Sequence, residues 1–150
     1  MQYICIVIII VLDQIVKAFV DSSMEVGQSV QVWGDFFRIT YVQNTGAAFS
    51  FMEGHPGLLS FVTGIVLAAL LGYLAVKGKS YDRFLLVSLA FIIAGGVGNL
   101  IDRVLRGFVV DMFDFGFWPV FNIADIAICL GCAMLVVYML FIEPKKKKKE

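Results

Sequence analysis

The stretch FLLVSLAFIIAGGVGNLIDRVL, residues 84–105, decides the fold of this chain. Residues 84–101 carry no charged side chain, and a helix needs a run of about 20 apolar residues to cross the hydrocarbon core of a bilayer. Polar side chains inside lipid are costly, so the polar end from Asn99 to Arg103 demands a structural or functional reason. The stretch therefore predicts a transmembrane helix with a polar cluster at one end.

Three further apolar runs complete the predicted architecture. The chain has 150 residues, of which 60% are hydrophobic and 16% are charged, so it is too apolar for a soluble domain of this size. The four predicted spans run over about residues 1–20, 57–76, 84–105 and 121–142. Met1-Gln2-Tyr3 lacks the positive charge of a signal peptide, so the first run is interpreted as a span. We predict one integral-membrane domain over residues 1–150, an all-α membrane protein with four transmembrane helices.

The basic residues predict the orientation of these spans. They concentrate in two segments, with Lys77, Lys79 and Arg83 between the second and third spans and Lys145–Lys149 in the tail of residues 143–150. Segments rich in Lys and Arg stay in the cytoplasm, so both segments and the N-terminus should be cytoplasmic, and the lysine run either fixes topology or contacts anionic lipid. About residues 21–56 and 106–120 should then lie outside. The net charge is zero, so no nucleic-acid partner is expected.

The first outer segment has the composition of a small sheet. Val30–Val32 and Phe36–Phe51 are rich in β-branched and aromatic residues, and Trp33-Gly34-Asp35 between them is typical of a turn. We predict an extracytoplasmic antiparallel sheet that lies on the membrane surface. Aromatic side chains suited to that interface are Phe36, Phe37, Tyr41, Phe49 and Phe51.

Charged residues within the spans predict buried ion pairs. Asp13 and Lys17 lie four residues apart on one face of the first span, with the acid before the base, and we interpret them as a structural pair. In the third span, Asn99, Asp102, Arg103 and Arg106 share one face. We expect Asp102 to be ionised and paired with Arg103 and Arg106, which suits a strut better than an acid catalyst.

The segment Gln43-Asn44-Thr45-Gly46-Ala47-Ala48-Phe49 follows the predicted second strand and permits two interpretations. Asn44 and Gly46 could form a turn. The small residues could equally allow the backbone to come close to a ligand. The sequence does not decide between them.

Two aspartates are candidates for catalysis. Asp111 lies in the second outer segment, and Asp125 opens the fourth span, one turn beyond Asn122, which is a candidate N-cap. A hairpin over Met112–Ala124 could bring the two carboxylates together, and carboxylates in contact share one proton. One would then act as a base on water and the other as an acid toward a carbonyl. The single histidine, His55, sits beside Pro56, and no histidine-rich metal set or Ser-His arrangement is present.

At these residues the sequence resembles the lipoprotein signal peptidase (signal peptidase II) family over nearly its whole length. Five motifs occur in order: Leu12-Asp13-Gln14 with Lys17, Asn44–Phe49, Gly98–Arg103, Val109-Val110-Asp111 and Phe121–Asp125. Met112 stands where many members have Phe, which affects no catalytic position.

The resemblance implies a fold of four transmembrane helices with an extracytoplasmic β-cradle. It implies an aspartic endopeptidase of the bacterial cytoplasmic membrane that cuts prolipoproteins just before a diacylglyceryl-modified cysteine. The residues that match family positions are Asp111 and Asp125 as the catalytic pair, then Asn44, Gly46, Asn99, Asp102, Arg103 and Asn122 around the site, with Asp13 and Lys17 as structural residues near it. The family uses no metal and no organic cofactor, and we expect a monomer whose partners are lipidated substrates and membrane lipid.

Two other classes of function remain open from the residues alone. A small ion or solute carrier could use Asp13, Asp102 and Asp125, although carriers usually place such acids near the midplane of the membrane, often within a repeat. A structural membrane adaptor is the third interpretation.

Overall fold

The computed structural model describes residues 2–46, 56–77 and 82–143. The predicted tail lysines Lys145–Lys149, together with Lys79, Phe49, Phe51 and His55, lie outside these residues.

Four long helices carry the predicted spans. Their bounds are Gln2–Ser23 (α1), Pro56–Lys77 (α2), Arg83–Arg106 (α3) and Ile123–Val137 (α4), and a π-helical segment, Tyr138–Ile142, continues α4. All four are long and apolar enough to cross a membrane, which confirms the prediction to within a few residues. The end of α3 is set by Gly107, whose left-handed backbone lets its N–H bond to the carbonyl of Arg103 at 3.1 Å.

Helix α3 is the centre of the bundle, since most of its apolar part is buried and the other three helices are mostly exposed. Glycines permit this close packing. A Cβ on Gly95 would lie 2.2 Å from the backbone oxygen of Ala124, and a Cβ on Gly131 would lie 2.7 Å from that of Ser88. The helices α3 and α4 therefore touch backbone to backbone, as small residues allow in lipid.

A three-stranded antiparallel sheet lies at one end of the bundle, in the order β1 (Ser29–Trp33), β2 (Phe37–Asn44) and β3 (Val109–Asp114). The first two strands and the turn between them were predicted, although β2 ends at Asn44. The prediction placed Val109–Met112 in a loop, which is wrong because these residues pair with β2. Their partner strand lies about seventy residues earlier in the chain, and a strand formed by distant pairing has only a weak local signal.

A small core beneath the sheet joins it to the helices. It consists of Val20 from α1, Tyr41 from β2, and Val110 and Met112 from β3. Tyr41 is only 2% exposed, and its hydroxyl donates to Asp21, so the prediction that Tyr41 faces the membrane interface is wrong. A buried hydroxyl with a carboxylate partner is satisfied inside the protein.

Other aromatic side chains do lie on the surface of the sheet end. Phe36 and Trp33 are exposed at the β1–β2 turn, and Phe36 contacts Phe115 from the loop after β3. Phe115 also packs against Phe37 and stacks on Phe121 at the start of α4. This aromatic cluster connects the β1–β2 turn to the beginning of the fourth helix.

Candidate active site

Asp111 is presented by the central part of β3 and is held by β2. It pairs with Val42 across the strands, and the Nδ2 of Asn44 donates to its Oδ2 at 2.9 Å. Only 2% of Asp111 is exposed. The third strand, which sequence analysis missed, is thus the element that positions the first catalytic candidate.

Asp125 lies in the first turn of α4, where its backbone and side chain form a reciprocal cap with Asn122. The Asp125 N–H donates to Asn122 Oδ1 at 2.9 Å, and the Asn122 N–H donates to Asp125 Oδ2 at 3.1 Å. The predicted N-cap is therefore confirmed. Because a capping box fixes both side chains, Asp125 has a defined orientation before any substrate binds.

Asn122 also links the two acids. Its side chain is fully buried, and its Nδ2 donates to Asp111 Oδ1 at 2.6 Å while its Oδ1 holds the Asp125 N–H. The chain reaches this arrangement because Phe121 pairs with Phe113 on the way from β3 to α4. One amide thus holds the aspartate pair (Asp111 and Asp125) at the junction of sheet and helix.

The electrostatic setting of Asp111 favours its protonated form. Its pKa is raised to about 7, chiefly by burial and also by the charge of Asp125, against the lowering effect of hydrogen bonds from Asn44 and Asn122 and of the charge of Lys17. The desolvation of a carboxylate outweighs these favourable contacts. Asp111 can therefore carry a proton near neutral pH.

Beneath the aspartate pair lies a buried ionic network centred on Lys17, which is 0% exposed. Its Nζ lies 2.9 Å from Asp13 Oδ2, 2.9 Å from Asp102 Oδ2 and 2.9 Å from Asn99 Oδ1. The predicted Asp13–Lys17 pair is confirmed. Its link to Asp102 and Asn99 joins α1 to α3.

Asp102 has one of its two predicted partners. Arg106 pairs with its Oδ1, but Arg103 makes no ion pair with Asp102 in the described part of the chain. Arg103 instead donates from Nη2 to the backbone oxygen of Gly46 at 2.8 Å, and its buried Nε has no partner among the described residues. Side chains at i and i+1 point to different faces of a helix, which explains why Asp102 and Arg103 diverge.

The segment after β2 forms a turn at its described end. The Gly46 N–H donates to Asn44 Oδ1 at 3.0 Å, so Asn44 holds both this turn and Asp111. Ala47, Ala48 and Phe49 lie outside the described residues. The turn interpretation is thus confirmed for Asn44–Gly46, and Arg103 fixes the turn from α3.

Two further residues, Gln14 and Asp21, join the site without having been assigned a role from the sequence. Gln14 donates to Asp102 Oδ1 and to the Gly98 carbonyl, each at 3.2 Å. Asp21 accepts from Tyr41 and lies 3.6 Å from Arg106 Nε. A polar residue within an apolar helix is the signal that could have identified Gln14.

Two sequence comparisons with known proteins agree on one family, and a structural comparison finds a membrane enzyme of the same fold. A sequence model of the family described as signal peptidase (SPase) II matches residues 5–141. A lipoprotein signal peptidase of Halothermothrix orenii is 43% identical over 140 residues, covering 93% of this chain and 94% of that protein. One from Staphylococcus aureus is 36% identical over 148 residues, covering 96% and 90%. A solved structure described as a bacterial membrane enzyme superposes with a TM-score of 0.90 at 34% identity, covering 99% of this chain and 93% of that chain.

These findings confirm the resemblance seen in the five motifs. Together with the four apolar helices, the likeness to a membrane enzyme identifies this chain as a multi-pass membrane protein.

Proposed function

Since the chain belongs to the signal peptidase II family, we propose that it is a membrane aspartic endopeptidase that removes signal peptides from bacterial prolipoproteins. The observation that carries this proposal is that Asn122 contacts both carboxylates: its side-chain amide donates to Asp111 Oδ1, and its backbone N–H donates to Asp125 Oδ2. Two carboxylates held in one electrostatic environment share a proton, and that supplies an acid and a base at the same pH.

The geometry supports a division of roles within the aspartate pair. Asp111, whose pKa is raised, carries the shared proton, and Asp125 is the base. Asp125 accepts a proton from water as the water oxygen attacks the scissile carbonyl, and Asp111 donates its proton to the carbonyl oxygen. When the tetrahedral intermediate breaks its C–N bond, Asp125 returns the proton to the leaving amine and Asp111 recovers the proton from the hydroxyl.

The substrate should approach beside the turn after β2. Arg103 already donates to the Gly46 carbonyl, and its Nε–H, which has no partner among the described residues, can donate to a peptide or ester carbonyl of the substrate. The signal helix would enter laterally from lipid between the helices and beneath the sheet. The resemblance implies that the cut falls just before a cysteine that carries diacylglycerol, and substrate confined to the membrane plane gains orientation before chemistry begins.

The same proposal includes a location. The aspartate pair lies where α3 ends and α4 begins, at the sheet end of the bundle. Lys77 ends α2 and Arg83 begins α3, so both lie at the end of the bundle that is opposite to the sheet. The positive-inside rule puts this end in the cytoplasm. The enzyme would therefore sit in the bacterial cytoplasmic membrane with both termini inside and its active site at the extracytoplasmic face, acting as a monomer.

The experiment is cleavage of a purified diacylglyceryl-modified precursor by the purified protein. Asp111→Asn and Asp125→Asn should each abolish cleavage, and the double variant should be little worse, because the pair acts as a unit. Asp114→Asn is the matched control, since Asp114 lies on the same strand but its carboxylate pairs with Arg38 and Thr40 and contacts neither Asn44 nor Asn122 among the described residues. Activity within a few-fold of wild type in either single variant would refute the pair, and a carrier or adaptor would leave the precursor uncut.

A further inference from the structure

Lys17 makes a hydrogen bond to a neutral side chain in addition to its two ion pairs. An ammonium group has three N–H donors and no acceptor, and all three have partners here: Asp13, Asp102 and Asn99. The contact with Asn99 is the only one of the three to a neutral side chain. Because Lys17 can only donate, the atom of Asn99 that contacts it must be an acceptor. The Oδ1 of the Asn99 amide therefore faces Lys17, and the Nδ2 faces away.

The amide nitrogen of Asn99 then points at the proposed catalytic base. Asn99 Nδ2 donates to Asp125 Oδ1 at 2.8 Å, while Asn99 Oδ1 accepts from Lys17 and, at 3.1 Å, from Asn122 Nδ2. Two donors converge on one oxygen of Asn99, so reversing this amide would leave the Lys17 ammonium facing an NH2 group in a buried site. Such a reversal is costly because an unsatisfied buried charge loses its hydrogen bond without compensation.

Resting on the proposed function, we infer that Lys17 is a positioning residue that acts through Asn99. It fixes the direction of the Asn99 amide, and this keeps an N–H donor on Oδ1 of Asp125. The capping box with Asn122 holds Oδ2 of Asp125, so this second donor fixes the remaining oxygen, and Lys17 thereby holds the proposed base in one orientation. We call the contacts from Lys17 through Asn99 to Asp125 the relay.

The charged groups around this relay come from three elements. Lys17 and Asp13 belong to α1, Asp102 and Arg103 belong to α3, and Asp111 belongs to β3. The competing explanation is that Lys17 only neutralises Asp13 and Asp102. That explanation requires no contact with Asn99, so it predicts that Lys17 and Asn99 affect turnover independently.

The test measures kcat and KM for a lipidated precursor in a double-mutant cycle of Lys17→Gln and Asn99→Ala. Glutamine has both a donor and an acceptor, so it cannot hold the Asn99 amide in one direction. We expect each single variant to lower kcat by about ten- to one-hundredfold, in line with loss of a hydrogen bond to a charged group. KM should stay within about threefold of wild type, and the double variant should resemble Asn99→Ala alone.

Conservative variants separate donor chemistry from packing. Lys17→Arg keeps a donor-only cation and should retain more kcat than Lys17→Gln or Lys17→Met, although arginine is the largest of the three side chains. Asn99→Asp is nearly isosteric, still accepts from Lys17 and places an acceptor against Asp125, so it should lower kcat at least as much as Asn99→Ala. Wild-type kcat in Asn99→Asp would overturn the inference. It would also be overturned if kcat of the double variant fell by the product of the reductions that Lys17→Gln and Asn99→Ala cause alone.

A second background keeps the test usable if Lys17→Gln does not fold. The cycle is then run in Asp13→Asn protein, in which replacing Lys17 removes one positive charge to match the negative charge already removed. Asparagine at position 13 keeps an oxygen that can accept the Ala124 N–H. The two proposals also fail separately. Activity in Asp111→Asn or Asp125→Asn protein would refute the aspartate pair, whereas inactive pair variants with independent Lys17 and Asn99 effects would refute only the relay.

Discussion

The carboxylate of Asp13 accepts the backbone N–H of Ala124 at 2.9 Å, which ties the first helix to the residue immediately before Asp125. Asp13 is buried, and its other oxygen pairs with Lys17 at 2.9 Å. The first N–H groups of a helix have no partner within it; Asn122 accepts that of Asp125, and Asp13 supplies from α1 the acceptor for that of Ala124.

Replacement of Asp13 should therefore destabilise the protein by an amount that depends on the substituent. Asp13→Ala removes one of the two carboxylates that contact the buried Lys17, leaves the Ala124 N–H without its acceptor and should cost about 3–5 kcal/mol. Asp13→Asn keeps an acceptor for Ala124 and should cost clearly less. Unfolding of both variants in detergent measures the difference, and equal losses would show that the contact with Ala124 contributes nothing.

The raised pKa of Asp111 predicts the pH dependence of turnover. Its folded-state pKa is about 7 against an ordinary value of 3.8. Above pH 7 the substrate-free enzyme loses the Asp111 proton that the mechanism requires, so kcat/KM should fall on the alkaline side of about pH 7. A pH profile of kcat/KM measured with lipidated precursor checks this, and a value that stays flat up to pH 9 would contradict it.

The same shift predicts a trend in stability. Because the pKa is raised on folding, the folded state binds more protons than the unfolded chain between pH 3.8 and about pH 7. The contribution of Asp111 to stability is thus fully present below pH 3.8 and is lost as pH rises to about 7. The difference in unfolding free energy between wild type and Asp111→Asn should show this slope, since the asparagine does not titrate.

Close packing of α3 on α4 predicts a sharp contrast between two glycines. A Cβ on Gly95 would lie 2.2 Å from the Ala124 oxygen, whereas a Cβ on Gly72 of α2 would meet nothing within 4 Å. Gly95→Ala should therefore displace the start of α4 and reduce both stability and cleavage. Gly72→Ala should be neutral or slightly stabilising, because alanine favours helix more than glycine does. Wild-type cleavage by Gly95→Ala would show that the helix contact is not needed.

Metal chelation should leave cleavage unchanged. The four oxygens of Asp111 and Asp125 each accept an N–H from Asn44, Asn99 or Asn122. A cation would have to displace these donors, and Lys17 is close enough to lower the pKa of Asp111 by its charge. Activity lost in a strong chelator and restored by one divalent ion would overturn this expectation.

Crosslinking can test where the precursor docks. Thr45 is exposed beside the Asn44–Gly46 turn, and Arg83 is exposed at the far end of α3. A photo-reactive residue at position 45 should form adducts with a lipidated precursor, and one at position 83 should form far fewer. Adducts from position 83 with none from position 45 would place the site at the wrong end of the bundle.

Features set by local sequence were predictable. The spans follow from the length of apolar runs, and the pair of Asp13 and Lys17 follows from a spacing of four residues on a helix. Asn122 was identifiable as a cap because it precedes the first turn of an apolar helix. In each case the residues that interact lie within one or two helical turns of each other.

Features set by distant partners were not predictable. The pairing of Val110 with Gln43 defines β3, yet the residues next to Val110 in the sequence do not predict this pairing. Lys17 meets Asn99 across 82 residues, so its role in the site required the packing of α1 on α3. Tyr41 was assigned to the membrane interface on residue type alone, and only the position of Asp21 explains why it is buried.

The division of the aspartate pair between two elements has a consequence for biosynthesis. Asp111 belongs to β3 and Asp125 to the last of the four helices, so a chain whose fourth helix has not docked holds only one of the two acids. Under the proposed mechanism, water activation therefore requires the first turn of α4 to reach the sheet. Docking of the last of the four helices is then the step of assembly at which peptidase activity would begin.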